Sequence, residues 1–236
     1  MGPGVEMKLN ARTLTAAFLA LSLLSACGND QQADETKAAL GTAKLIGKLI
    51  VNFGRNPTTN PPDPATIAIA RAALEKGGTP VYRIDVKKLR YMNFMAPYGD
   101  NGPVKTWAST AYETVSLNDG ILVATRGFGP DLMSAVAPSL GQVRSGNGFF
   151  HRVYYHLDGA DQPIRTDFDC EFSPSGSETV VVMGISYTTN GVTESCSNPT
   201  ERFENTYSFD GSGKLRQSVQ YVSSLAAMMQ LQRVVD

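Results

Sequence analysis

Ile164-Arg-Thr-Asp-Phe-Asp-Cys-Glu-Phe172 is the stretch on which the fold of this chain turns. Ile164, Thr166, Phe168, Cys170 and Phe172 alternate with Arg165, Asp167, Asp169 and Glu171. Side chains of a β-strand leave its two faces with a period of two, so this contrast puts the first set in a core and the second in water. The same contrast returns in Arg202 to Phe209, where Phe203, Asn205, Tyr207 and Phe209 oppose Arg202, Glu204, Thr206 and Ser208. A sheet that is apolar on one side and wet on the other is antiparallel in type, and it must curl or be covered.

Working outward, further strands are expected over Val81–Val86, Leu89–Met95, Val104–Ser109, Tyr112–Leu117, Ile121–Arg126, Phe150–Leu157 and Leu215–Val222. Asn118-Asp119-Gly120, Asp158-Gly-Ala-Asp161 and Asp210-Gly-Ser-Gly213 read as hairpin turns. Two helices are expected before the sheet. In the first, Ala39, Ala43, Ile46, Ile50 and Phe53 recur at steps of four and three. The second has Asp63 as N-cap, Pro64 in the first turn and Gly77-Gly78 as its stop, with Ile67, Ala70 and Leu74 beside Ile69 and Ala73 as its apolar stripe. These helices and a C-terminal segment, Leu225 to Leu231, are the available covers. The expected fold is mainly β: a large curved antiparallel sheet, half-barrel-like, in one domain over residues 37–236.

The front of the chain reads as an address label. Lys8 and Arg12 supply a positive start, Leu14 to Leu24 an apolar core too short to span a bilayer, and Ser25-Ala26 a small-residue approach to Cys27. Leu24-Ser25-Ala26-Cys27 resembles the lipobox of bacterial lipoproteins, which implies removal of residues 1–26 and acylation of Cys27. Residues 1–6 read as an upstream start. Several acyl chains anchor a protein firmly, since each buried methylene contributes roughly 0.8 kcal/mol. Gly28 follows the cysteine in place of the Asp that retains many lipoproteins on the inner membrane, so the expected location is the periplasmic face of the outer membrane. Residues 27–36 form a polar tether reaching ~30 Å when extended.

Without Glu6, Lys8 and Arg12 the charge balance is 19 basic to 21 acidic residues, which favours neither nucleic acid nor an anionic surface as main partner. Of the three cysteines, Cys170 and Cys196 remain as an even pair, either bridged in an oxidising compartment or left as two buried thiols. Reactive constellations are scarce. The two histidines, His151 and His156, lie five residues apart on a strand and so point to opposite faces, which denies them a shared metal. There is no nucleophile elbow, phosphate loop or His-Glu-x-x-His motif. Asp167, Asp169 and Glu171 read as a solvated face. Gly127-Phe128-Gly129, between Arg126 and Asp131, reads as a sheet corner. Trp107 heads a set of strand aromatics that offers a stacking or lipid-contacting surface or else lies in the core. Trp107, Arg126 and Asp131 are therefore the candidate ligand or partner surface. No catalytic residue, metal or cofactor is expected.

Thr125-Arg-Gly-Phe-Gly-Pro-Asp-Leu132, preceded by Asn118-Asp119-Gly120 and Thr106-Trp107 and followed by Arg152 to Asp161 and Cys170, resembles the YjbF-type lipoproteins. These are grouped with the group 4 capsule polysaccharide lipoproteins, GfcB. Phe128 stands where a smaller aliphatic residue is expected. The resemblance implies an all-β curved sheet or half-barrel with helical additions. It also implies a non-enzymatic outer-membrane lipoprotein serving extracellular or capsular polysaccharide production beside other envelope proteins. It carries over no catalytic residue and, by position, only Cys27. The alternatives are a carrier holding a lipid or glycolipid in the curved sheet and, last, a polysaccharide-acting enzyme using loop carboxylates such as Asp131, Asp158 and Asp161.

Overall fold

The computed structural model describes residues 64–129 and 131–236. Twelve strands form one sheet in the order β5-β4-β3-β2-β1-β12-β11-β10-β9-β8-β7-β6, with every recorded pairing antiparallel. Their ranges are β1 Val81–Val86, β2 Tyr91–Asn101, β3 Val104–Ala108, β4 Thr114–Asn118, β5 Ile121–Arg126 and β6 Ser134–Val136. The rest are β7 Phe149–Leu157, β8 Pro163–Val182, β9 Ile185–Ser197, β10 Arg202–Asp210, β11 Leu215–Ser223 and β12 Ala227–Val235. The sheet curls until it is nearly closed into a barrel, more than the half-barrel expected. Where the free edges of β5 and β6 approach, the Thr125 N–H donates to the Leu132 carbonyl at 2.8 Å.

Bulges supply the curvature, since an extra residue on one strand bends it and deepens its twist. One lies at Pro97–Gly99 in β2, another at Pro174–Gly176 in β8. The second explains why β8 runs on to Val182 past the expected end at Phe172. Ser173-Pro-Ser-Gly-Ser177 has the composition of a loop, but the bulge accommodates the proline and pairing with β9 resumes beyond it. The Asn118–Ile121 turn is as expected: Asp119 and Gly120 both have positive φ, at 50° and 94°. A Cβ on Gly120 would stand 3.0 Å from the end of the Leu215 side chain, which would have to give way by a few tenths of an ångström.

Among the described residues only one helix exceeds two turns, α1 at Pro64–Gly77, and the helix expected over Ala39 to Phe53 lies outside them. Ala70 and Leu74 are buried, but Ile69 is 67% exposed and Ala73 is exposed too, so two of the five residues of the expected stripe face water. Arg71 fixes the helix to the sheet, donating to the carbonyls of Val182 and Val234 at 2.8 and 3.0 Å. The C-terminal segment is not a cover. It is β12, a central strand paired to β1 on one side and β11 on the other. A short helix, α2 at Leu140–Ser145, opens with a capping box of Ser139 and Gln142 and buries Val143.

The inward faces make a packed core. Tyr154, Phe203 and Tyr221 stack nearly parallel, with Phe168 edge-on to Tyr154 and Phe203. Phe172, Val192, Tyr207 and Phe209 continue it toward α2.

Candidate functional site

The least expected feature is charge inside the core. Arg152 on β7 and Glu194 on β9 have side chains fully removed from solvent and meet in a two-pronged ion pair, Nε–Oε1 2.6 Å and Nη2–Oε2 2.9 Å. Tyr207 donates to Glu194 Oε2 at 2.8 Å, Asn205 donates to the same oxygen at 2.9 Å, and Arg152 reaches the Tyr207 hydroxyl at 3.0 Å. Asn205 in turn accepts the Tyr221 N–H at 2.7 Å. Burial disfavours the Arg152 charge, but Tyr154, Tyr207 and Glu194 outweigh it and raise the guanidinium pKa. Burial likewise drives the Tyr154 and Tyr207 hydroxyls upward, so both remain neutral donors. No buried side-chain polar atom among the described residues lacks a partner. A network so fully satisfied has no atom left over for a ligand, and its chemistry is structural.

The sequence reading missed this pair, although strand parity carried a signal. Arg152 lies two residues before core-side Tyr154, and Glu194 two before core-side Cys196, so each is a charge on an apolar face. Cys170 and Cys196 sit directly opposite each other on β8 and β9 and form a disulfide.

The candidate surface residues fare differently. Trp107 is only 5% exposed and packs edge-on against Tyr82 at 4.6 Å, which makes it core. Asp131 spends its carboxylate on the chain, accepting from Gly127 N at 2.7 Å, Phe128 N at 3.1 Å and the Thr125 hydroxyl at 2.8 Å. Arg126 is exposed, and its guanidinium caps the carbonyls of Thr125, Leu132 and Met133. Together these two residues fasten the β5–β6 corner, with Gly127 and Gly129 at φ of 93° and 97°. Phe128 is buried against Tyr91, which accounts for a large ring at that position.

On the outer wall, His151 stands between two carboxylates, Nδ1 2.9 Å from Asp169 and Nε2 2.8 Å from Asp167. Hydrogen bonds to Asp169 and then Asp167 raise its pKa. Arg165 and then His151 hold Asp167 down to about 2. His156 points inward and lies 2.8 Å from the Val222 carbonyl, so the two histidines take opposite faces as expected. Beside the barrel seam lies a shallow outer hollow of about 520 Å³, lined by Asn101, Thr106, Ser116, Asn118 and Ser134 with Val123 and Val136. Its lining carries no charge. Cys27 lies outside the described residues.

The family model described as group 4 capsule polysaccharide lipoprotein gfcB, YjbF, matches residues 11–234. The chain belongs to the YjbF family. No curated protein matches it. Among solved structures, the YjbF-family chain is similar to the hypothetical lipoprotein YmcC from Escherichia coli (K12), at 16% identity and a TM-score of 0.60. That likeness covers 67% of this chain and 84% of the other, and it establishes a shared fold. The match runs from before Cys27 to within β12.

Proposed function

We propose that this chain is an outer-membrane lipoprotein, held by acyl chains on Cys27, that serves extracellular or capsular polysaccharide production and export without catalysing a reaction itself. Membership of the capsule-polysaccharide lipoprotein family over residues 11–234 is the observation that carries the reading. The chemistry of the domain is consistent with it. Its buried ionisable groups are mutually satisfied, and Asp131 and Asp158, two of the loop carboxylates an enzyme would need, are occupied by backbone N–H groups. The domain acts as a stiff body at the membrane that other envelope proteins or the polysaccharide contact.

Deleting the gene and measuring secreted and surface polysaccharide tests this reading. Polysaccharide should fall, wild-type protein should restore it, and a stable Cys27→Ser chain should not. Unchanged polysaccharide under conditions that express the gene would reject the proposal. The carrier reading is disfavoured by the stacked rings of Tyr154, Phe203 and Tyr221, which occupy the space a lipid tail would enter.

A further inference from the structure

Every strand pairing is antiparallel, so the β1–β2, β3–β4, β5–β6 and β11–β12 connections share one end of the barrel, opposite the end where α1 and α2 enter. Large apolar side chains stand free at this end: Leu157 and Ile164 flank the β7–β8 turn, and two more lie on the sector opposite it. Tyr112, in the β3–β4 loop, is 71% exposed, and Leu225, in the β11–β12 turn, is 47% exposed. They belong to one surface. Glu113, beside Tyr112, touches Gly127 and accepts from the Tyr91 hydroxyl, while Leu225 reaches over Gly129 of the same β5–β6 corner.

The β1–β2 turn adds Lys87, Lys88 and Arg90, all exposed. Lys88 donates to the Ser224 carbonyl at 2.8 Å, which places the basic turn against the residue preceding Leu225. Two of these projecting side chains are held in an unfavourable backbone region: Tyr112 has φ 69° and Arg90 φ 51°. A left-handed conformation is uncommon for such residues, and glycine or asparagine would adopt it more readily. The carboxylates nearest this sector are engaged internally. Glu113 accepts from Ser109 and Tyr91, and Asp131 from Gly127, Phe128 and Thr125. On the other turns at this end, Asp158 accepts from the Ala160 and Gln162 N–H groups and Glu201 from the Tyr221 hydroxyl, while Asp161 on the β7–β8 turn is exposed.

An exposed tyrosine and leucine ringed by cations match a lipid surface, where rings and aliphatic tips enter the headgroup layer and lysine or arginine meets anionic phosphates. We propose that this end of the barrel rests on the anionic membrane, with Tyr112 and Leu225 entering the headgroup layer and Lys87, Lys88 and Arg90 on its phosphates. The inference rests on the anchoring of Cys27, which brings the domain within reach.

The test uses the acylated full chain reconstituted in phosphatidylethanolamine–phosphatidylglycerol vesicles with brominated acyl chains. Trp107, the single tryptophan, is buried in the core and serves as an internal reference. In Tyr112→Trp the added emission should be quenched about twofold, as expected of a ring at the headgroup–acyl boundary. In Tyr98→Trp, on the outward run of β2 toward the opposite end, it should not be. Combining Tyr112→Trp with Lys87→Glu, Lys88→Glu and Arg90→Glu, or raising salt, should remove most of the quenching. A wild-type chain that fails to float with the vesicles overturns the anchoring reading and this inference with it. A chain that floats but shows no quenching at 112, or equal quenching at 98 and 112, overturns this inference alone.

Discussion

The wall made by β7–β10 and the wall made by β2–β6 come from the same meander but are held together by different means. The first has long strands, a disulfide joining β8 to β9 and a buried ion pair joining β7 to β9. The second has short strands apart from β2 and an uncharged outer hollow, and it closes at its seam through the side chains of Thr125, Arg126 and Asp131. A buried charge pair adds little net stability but makes wrong pairings expensive, because any slip of β7 against its neighbours would strand Arg152. A corner fastened by one carboxylate makes a weaker demand. One wall is specified by what it cannot tolerate, the other by what a single loop supplies.

The sharpest way to break this contrast is to remove half of the ion pair. Glu194→Leu should cost about 3–5 kcal/mol by urea unfolding, because Arg152 stays buried and uncompensated, whereas Arg152→Met with Glu194→Leu should recover most of it. A single substitution within about 1 kcal/mol of wild type would mean that the pair does not hold the wall. Next comes the disulfide. With a sequence separation of 26, replacing Cys170 and Cys196 by alanine should cost about 3.5 kcal/mol in the chain-entropy model. Asp131→Ala should cost about 2 kcal/mol through lost hydrogen bonds to a charged acceptor. Its hydrogen exchange should quicken in β4–β6 while β8–β10 stays protected; equal quickening in both walls would erase the distinction. The smallest effect belongs to His151. Its imidazole should titrate above 6.5 by NMR, and Asp169→Asn should bring the midpoint down. Because the folded-state value is raised, the contribution is whole below 6.5 and is lost as pH rises through the raised midpoint.

Where alternation was strong, the sheet could be read from the residues alone. Ile164–Phe172 and Arg202–Phe209 lie in β8 and β10, with Phe168, Cys170, Phe172, Phe203, Asn205, Tyr207 and Phe209 buried as expected, though Ile164 is 47% exposed and Ser208 is buried, and Ile121–Arg126 is β5 to the residue. The failure at β12 has a physical cause. Ala227-Met-Met-Gln-Leu-Gln-Arg233 is made of residues that favour helices, and only β1 and β11 on either side hold it extended. In β9, buried Thr189 and Glu194 hide the apolar face. Trp107 lies in the core, and its strand leaves that open for a related reason. Trp107 alternates with Thr106 and Ala108, a pattern that gives no sign of which face is inward, and the corner residues Arg126 and Asp131 find their partners only once β5 and β6 meet.

The order of strands has a bearing on how such a chain folds. β12 follows every other described strand along the chain, yet it stands in the middle of the sheet, between β1 and β11. Until its nine residues arrive, β1–β5 and β6–β11 are two separate ribbons, each with a bare edge where β12 belongs. The sheet therefore becomes continuous only when that stretch is in place. β12 works as a latch that joins two ribbons into one wall.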